Sequence, residues 1–124
     1  MLKSGHFLDG LSFTGEVGPV NRSEKDEEMV AFRDGKFRSK ALSPYGFKDA
    51  PYTSVIERNA NEAERIGFEA DVSNGKGEVM SWKGFVQDEI MQGTAIHIKD
   101  GREQNRYWFR CWLNETGVTR KSAA

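Results

Sequence analysis

The sequence lacks the cysteines and the long apolar runs that several classes of protein require. Cys111 is its only cysteine, so no intrachain disulfide can form, which fits a reducing compartment. No apolar run approaches the roughly 20 residues that span a bilayer. The opening MLKSGHFLDG also has no long apolar stretch of the kind found in signal peptides. We therefore expect no membrane partner and favour a cytoplasmic location, with a periplasmic or secreted chain that has lost its leader as the alternative.

The sequence also lacks a large net charge and any familiar catalytic motif. A net charge of −1 provides no general attraction to nucleic acid or anionic membranes. There is no Gly-x-Ser-x-Gly elbow and no His-Glu-x-x-His, and the two histidines, His6 and His97, are far apart in the chain. Cys111 in FRCWL is typical of a small buried hydrophobe rather than a nucleophile. We expect no enzymatic activity, no cofactor and no metal site.

What the sequence does have is turn signals at short intervals. Asp34-Gly35, Asn74-Gly75 and Asp100-Gly101 each separate two runs that alternate between apolar and polar residues, as two-residue hairpin turns do. A fourth reversal, without glycine, is expected at residues 87–89. The turns delimit eight predicted strands: 11–18, 28–33, 36–42, 52–58, 65–73, 77–86, 90–98 and 105–114.

Alternation along these strands predicts which side chains face inward. Residues 66, 68, 70 and 72 share one face, as do residues 80, 82, 84 and 86, which is the pattern of a half-buried strand. The helix formers at 59–65 are interpreted as a charged hairpin loop, since two turns are too short for a stable helix. Eight consecutive strands avoid open edges by closing. The prediction is an all-β, single-domain, antiparallel eight-stranded up-and-down barrel within 1–124, with a core at about 9–114 and a flexible tail at about 115–124.

Three motifs support a family resemblance. They are Asp34-Gly35-Lys36-Phe37-Arg38-Ser39, then Gly46-Phe47 with Tyr52, then Trp82-Lys83-Gly84-Phe85-Val86 with Gly93. Because of these motifs, taken as a set over residues 9–114, the chain resembles the lipocalin-like, or calycin-like, small β-barrels. More narrowly, it resembles uncharacterised bacterial barrels of this size. The resemblance implies a barrel that can hold a small apolar molecule, with the ligand unnamed.

The connection SPYGFKDAPY, residues 43–52, is unusually aromatic. Pro44 and Pro51 stiffen it and Gly46 allows it to turn. Burying one aromatic ring is worth roughly 1.5–3 kcal/mol, so we expect the loop to fold over one mouth of the barrel. Tyr45 and Phe47 would then form either a lid that opens or a plug that does not.

The leading hypothesis is noncovalent binding of a small, largely apolar ligand. The residues predicted to line the ligand site are Phe37, Tyr52, Phe68, Trp82, His97, Tyr107 and Phe109. Tyr52, His97 and Tyr107 would orient a polar head, although His97 could equally be a hydrogen-bonded histidine at the rim. The first alternative is a structural or protein-interaction barrel with a filled core.

Two further interpretations concern the outer surface. Trp108 and Trp112 share the outer face of the last strand, where they would be covered by Phe7 and Leu8 of the N-terminal segment or would form a homodimer interface. The second alternative function, single-stranded nucleic-acid binding, rests on FRDGKFRSK, where Phe32 and Phe37 are interleaved with basic residues. It is disfavoured because alternation turns those rings toward the core.

Overall fold

The computed structural model describes residues 4–58, 60–61 and 63–114, and these are organised almost entirely as strands. The strands are β1 (Ser4–Gly5), β2 (Ser12–Pro19), β3 (Asp26–Arg33), β4 (Lys36–Ser39), β5 (Ala50–Arg58), β6 (Glu64–Ser73), β7 (Glu78–Gln87), β8 (Ile90–Lys99) and β9 (Arg102–Leu113). A 3-10 turn, Ser43–Tyr45, lies between β4 and β5. No helix in the described part of the chain is long and apolar enough to cross a membrane. The predicted tail at 115–124 lies outside the described residues.

Strands β2 to β9 form a closed antiparallel barrel. Each pairs with the next along the chain, and β9 returns to pair with β2, with Phe13 opposite Leu113 and Val17 opposite Phe109. The prediction of an eight-stranded up-and-down barrel is therefore confirmed. The hairpin interpretation of residues 59–65 agrees with the pairing of β5 and β6, which extends as far as Arg58 opposite Glu64. Glu64 and Arg65 themselves belong to β6, and residues 59 and 62 lie outside the described residues.

The hairpin turns follow the sequence signals, with one exception. Asp34-Gly35 and Asp100-Gly101 both have positive φ at both residues, and so does Asp88-Glu89, which has no glycine. These are the conformations that two-residue hairpins need. The prediction of a two-residue turn at Asn74-Gly75 is wrong. Four residues, 74–77, connect β6 to β7, and the Asn74 side chain accepts hydrogen bonds from the backbone N–H groups of Lys76 and Glu78.

Strand β4 is shorter than predicted, and a segment from the N-terminus pairs with the part of β5 that β4 does not reach. β4 ends at Ser39 rather than at residue 42. Because it begins only at Lys36, which is opposite Pro51, it pairs only with the first residues of β5. Farther along β5, Ser4 and Gly5 of β1 pair with Val55 and Ser54. The short β1 thus pairs with β5 beyond the point where β4 begins, past the Asp34-Gly35 turn. It satisfies backbone groups that would otherwise form an open edge.

The N-terminal segment also closes one end of the barrel, which we call the closed end. Leu8 is completely buried, and its backbone N–H donates to the hydroxyl of Tyr52 at 3.1 Å. The Asp9 carboxylate accepts the Tyr52 hydroxyl at 2.8 Å and the Gly35 N–H at 3.0 Å. The prediction that Phe7 and Leu8 cover Trp108 and Trp112 is therefore wrong, because this segment pairs with β5 and turns inward there.

Aromatic rings fill the barrel next to the closed end. Phe32 lies at the centre, with its ring 4.8 Å from Tyr52, 5.3 Å from Phe37 and 5.4 Å from Phe68. Trp82 continues the cluster, 4.9 Å from Phe37 and 5.0 Å from Phe109. Each such edge or tilted pair is worth about 0.5–1.5 kcal/mol beyond its buried area. The alternation that predicted these rings as interior is confirmed.

A pair of glycines leaves room for this cluster. Gly84 and Gly93 are directly opposite each other in β7 and β8. A Cβ on either would lie within 3 Å of the Phe109 ring and of facing backbone atoms. The bare backbone therefore allows the Phe109 ring to lie against the sheet.

Candidate ligand-binding cavity

The end of the barrel opposite the closed end contains a cavity of about 370 Å³. Its walls come from one end of β2, β3, β7, β8 and β9, and the connection between β4 and β5 covers part of its opening. Residues from separate strands meet here because in an up-and-down barrel every second connection lies at the same end. Trp82 and Ala95 line it beside the aromatic core, and Tyr107 lines it from β9.

A buried carboxylate, Glu28, belongs to the cavity wall. It is 2% exposed, and three donors from the protein satisfy it. Its Oε1 accepts the backbone N–H of Met29 at 2.8 Å and of Ala41 at 2.9 Å, and its Oε2 accepts the Ser39 hydroxyl at 2.6 Å. These bonds hold the chain after β4 against β3. They give a physical reason for β4 to end at Ser39.

Burial perturbs two ionisable groups on this side of the barrel. Removal from water raises the pKa of the Glu28 carboxyl, and the hydrogen bonds from Ser39, Ala41 and Met29 only partly offset that rise. Burial, followed by the nearby charge of Glu28, raises the pKa of the Cys111 thiol to about 12. Cys111 therefore remains a neutral thiol and has none of the thiolate character that a nucleophile needs.

His97 occupies the rim of the cavity, beside a second carboxylate. Its Nε2 lies 3.4 Å from Oε2 of Glu78, and both side chains are largely buried. Glu78 also accepts the Asn74 side-chain amide at 2.7 Å. A register shift follows His97 in the β8–β9 ladder, where Gln104 is the additional residue. Bulges of this kind change the direction of neighbouring side chains.

The aromatic connection has one buried ring and one exposed ring. Phe47 is 9% exposed and packs with the core, whereas Tyr45 is 72% exposed, and both line the cavity. Pro44 is the second residue of the 3-10 turn, and Gly46 ends the turn in the left-handed conformation, at φ 86°. The expectation that the connection lies over a barrel mouth agrees with this placement. The burial of Phe47 is what a plug requires, whereas the exposure of Tyr45 is what a lid requires.

The structure separates the seven predicted ligand residues into two groups. Trp82, His97 and Tyr107 line the cavity. Phe37, Tyr52, Phe68 and Phe109 lie within the packed core instead. The Tyr52 hydroxyl is bonded at the closed end, to Asp9 and Leu8, so it is not available to orient a polar head at this cavity.

Sequence reasoning missed two features of the cavity. Glu28 was not singled out from the sequence, although its even spacing from Val30 and Phe32, which are both buried, indicates an inward direction. The indole N–H of Trp82 is buried without a hydrogen-bond partner among the described residues. Such an unpaired donor costs about 1–3 kcal/mol, and no sequence pattern predicts it.

The outer surface carries the remaining predicted residues. Trp108 packs over Gly18, and Trp112 is 46% exposed, with the Arg110 guanidinium 5.3 Å from its ring. The homodimer through these tryptophans stays a prediction. Phe32 and Phe37 are buried, so neither ring is available for base stacking.

Within the described ranges, no three His, Cys, Asp or Glu side chains are placed to hold a metal ion. Comparison of the chain with protein-family models, with curated proteins and with solved structures gives no match. The cavity and the residues around it are therefore the features that bear on function.

Proposed function

We propose that this protein is a lipocalin-like binding protein that holds a small, largely apolar molecule in the cavity, without covalent chemistry. The cavity itself carries the proposal. Its volume of about 370 Å³ falls within the range of small-molecule sites, about 300–1,000 Å³. Eight-stranded barrels are wide enough to hold one such molecule.

The chemistry of the wall supports a largely apolar ligand. Apolar side chains from β2, from β7 and from the connection between β4 and β5 line the cavity, and they include Val17, Leu42, Phe47, Met80 and Trp82. Contact with these side chains removes apolar surface from water, at about 25 cal/mol per Å². The few polar groups, among them His97 and Tyr107, can orient the polar end of a bound molecule.

One observation favours the first alternative, a structural or protein-interaction barrel. The aromatic cluster from Phe32 to Trp82 already fills the barrel next to the closed end, so the fold needs no ligand to complete its core. In that case the cavity would hold only water, and apolar probes would bind weakly or not at all.

Binding of N-phenyl-1-naphthylamine, a neutral probe whose emission rises in apolar surroundings, tests the proposal. We expect the wild-type protein to increase its emission in a saturable manner. Ala41→Trp, which places a large ring at a position lining the cavity, should abolish that increase. Thr94→Trp adds the same ring on the exposed face of β8 and should leave binding unchanged.

Chemical denaturation of both variants checks that each is folded before the comparison is made. No saturable binding by the wild type, or equal binding by Ala41→Trp, would reject the cavity as the ligand site. The structural alternative would then be preferred.

A further inference from the structure

The described residues that line the cavity include no lysine or arginine but three acidic side chains, Asp26, Glu28 and Glu78. Neither Asp26 nor Glu28 makes an ion pair within the described part of the chain, and the Glu28 oxygens are bonded only to neutral donors. Glu78 pairs with His97, so any positive charge on that histidine is already matched. The cavity therefore has an excess of negative charge that the protein itself does not neutralise.

Aromatic rings lie in the same wall as these carboxylates. Tyr45, Phe47, Trp82 and Tyr107 all line the cavity. The faces of such rings attract cations, most strongly where water is excluded, and sites for quaternary ammonium groups are commonly built from them. Carboxylates and aromatic faces favour the same kind of ligand group, a nitrogen cation attached to an apolar body.

Anionic ligands meet the opposite conditions. A fatty acid or an aromatic carboxylate would bring another negative charge beside Glu28 and Glu78, with no described cationic side chain in the wall to pair with it. Burying an unpaired charge is unfavourable, and a like charge at short range in a partly buried site makes it more so. Among ligands with the same apolar body, the cavity wall thus disfavours those that carry a negative charge.

We propose that the cavity selects organic cations, namely protonated amines or quaternary ammonium compounds with an apolar or aromatic body, over neutral and anionic molecules of the same shape. This inference rests on the proposed function, because it concerns the ligand class of the same site. It adds the sign of the charge, which the apolar character of the cavity does not determine.

A probe series with one ring system and three head groups tests the inference. The probes are 1-naphthylmethylamine, which is protonated at neutral pH, 1-naphthalenemethanol and 1-naphthoate, each titrated by isothermal calorimetry. We expect the ammonium compound to bind at least about tenfold more tightly than the carboxylate, with the alcohol between them. Added salt should reduce this difference, because it screens the carboxylates at the rim.

Charge-removing variants locate the source of the selectivity. Glu78→Gln and Asp26→Asn should each weaken binding of the ammonium compound severalfold and leave the affinity for the alcohol unchanged. Asp71→Asn removes one negative charge from the exposed face of β6 and is the control for net charge. An equal loss of ammonium binding in all three variants would overturn the assignment to the cavity wall.

The outcomes separate the two proposals. If the alcohol and the carboxylate bind as tightly as the ammonium compound, or if the ammonium compound does not bind, the selectivity for cations is overturned, whereas binding of N-phenyl-1-naphthylamine still supports an apolar ligand site. If that neutral probe also fails to bind, the proposed function fails together with the inference.

Discussion

At the scale of single residues, Glu28 shows how one buried carboxylate affects both local structure and electrostatics. Its oxygens accept the N–H groups of Met29 and Ala41 and the hydroxyl of Ser39, and these bonds hold the chain after β4 against β3. The same burial raises the pKa of its carboxyl. A glutamine fits this network, since its oxygen can accept the two N–H groups while its amide donates to Ser39.

We therefore predict that Glu28→Gln changes the pH dependence of stability. The pKa of Glu28 in the folded protein lies above the unfolded value of 4.5, so the folded state holds this proton more tightly. The resulting stabilisation is fully present below pH 4.5 and is lost as the pH rises through the raised pKa. Compared with the variant, the wild type should lose free energy of unfolding as the pH rises through that window.

Urea denaturation of both proteins at several values between about pH 4 and about pH 8 measures this difference. Contributions from other titrating groups cancel in the comparison when both proteins share them. Curves that stay parallel over the whole range would mean that the Glu28 pKa is not raised by folding.

At the scale of elements, the connection between β4 and β5 combines a buried ring with an exposed ring. Phe47 packs with the core, whereas most of the Tyr45 side chain is in contact with solvent. The two residues are only two positions apart, and Pro44 and Gly46 determine how the chain turns between them. The predicted plug and the predicted lid can therefore be tested separately, at Phe47 and at Tyr45.

Single substitutions should separate these two functions. Phe47→Ala is expected to lower the free energy of unfolding by about 3 kcal/mol, because it leaves a void in packed surroundings. Tyr45→Ala should change it by less than about 0.5 kcal/mol, as surface changes usually do. Tyr45→Ala should instead speed both association and dissociation of N-phenyl-1-naphthylamine, measured by stopped-flow fluorescence. Unchanged rates in Tyr45→Ala, with binding retained, would exclude a lid formed by this ring.

At the scale of the whole molecule, the barrel is filled at one end and hollow at the other. Leu8, Asp9 and Tyr52 join the N-terminal segment to the barrel at the closed end. Trp82 lies between the two regions, since it packs on Phe37 and Phe109 and also lines the cavity. Trp82 therefore belongs both to the packed core and to the wall of the proposed ligand site.

Trp82→Ala is predicted to lower the free energy of unfolding by about 3–5 kcal/mol, as loss of a large buried ring does. Trp112→Ala is the control, because Trp112 is an exposed tryptophan on the outer face of β9, and it should cost less than about 1 kcal/mol. Both are measured by chemical denaturation. Equal losses in the two variants would contradict the inward register of β7.

Local signals in the sequence were sufficient to predict the strands, most of the turns and the strand faces that point inward. Asp34-Gly35 and Asp100-Gly101 require backbone conformations that few residue pairs adopt, and the period of two along Phe68, Ala70 and Val72 requires one buried face. Such signals involve residues close together in the chain. They therefore remain readable without the tertiary structure.

Features that depend on contacts between distant segments could be known only from the tertiary structure. Ser4 and Gly5 pair with β5 beyond the point where β4 begins, and hydrogen bonds from Ser39 and Ala41 to Glu28 hold the chain after β4 against β3. The sequence by itself determined a closed barrel with aromatic rings inside it. Only the tertiary structure decided that those rings fill one end, and that carboxylates from β3 and β7 line a cavity with Tyr107 at the other end. The physical reason is that the position of a side chain along the barrel axis depends on strand register and tilt, which no single strand specifies.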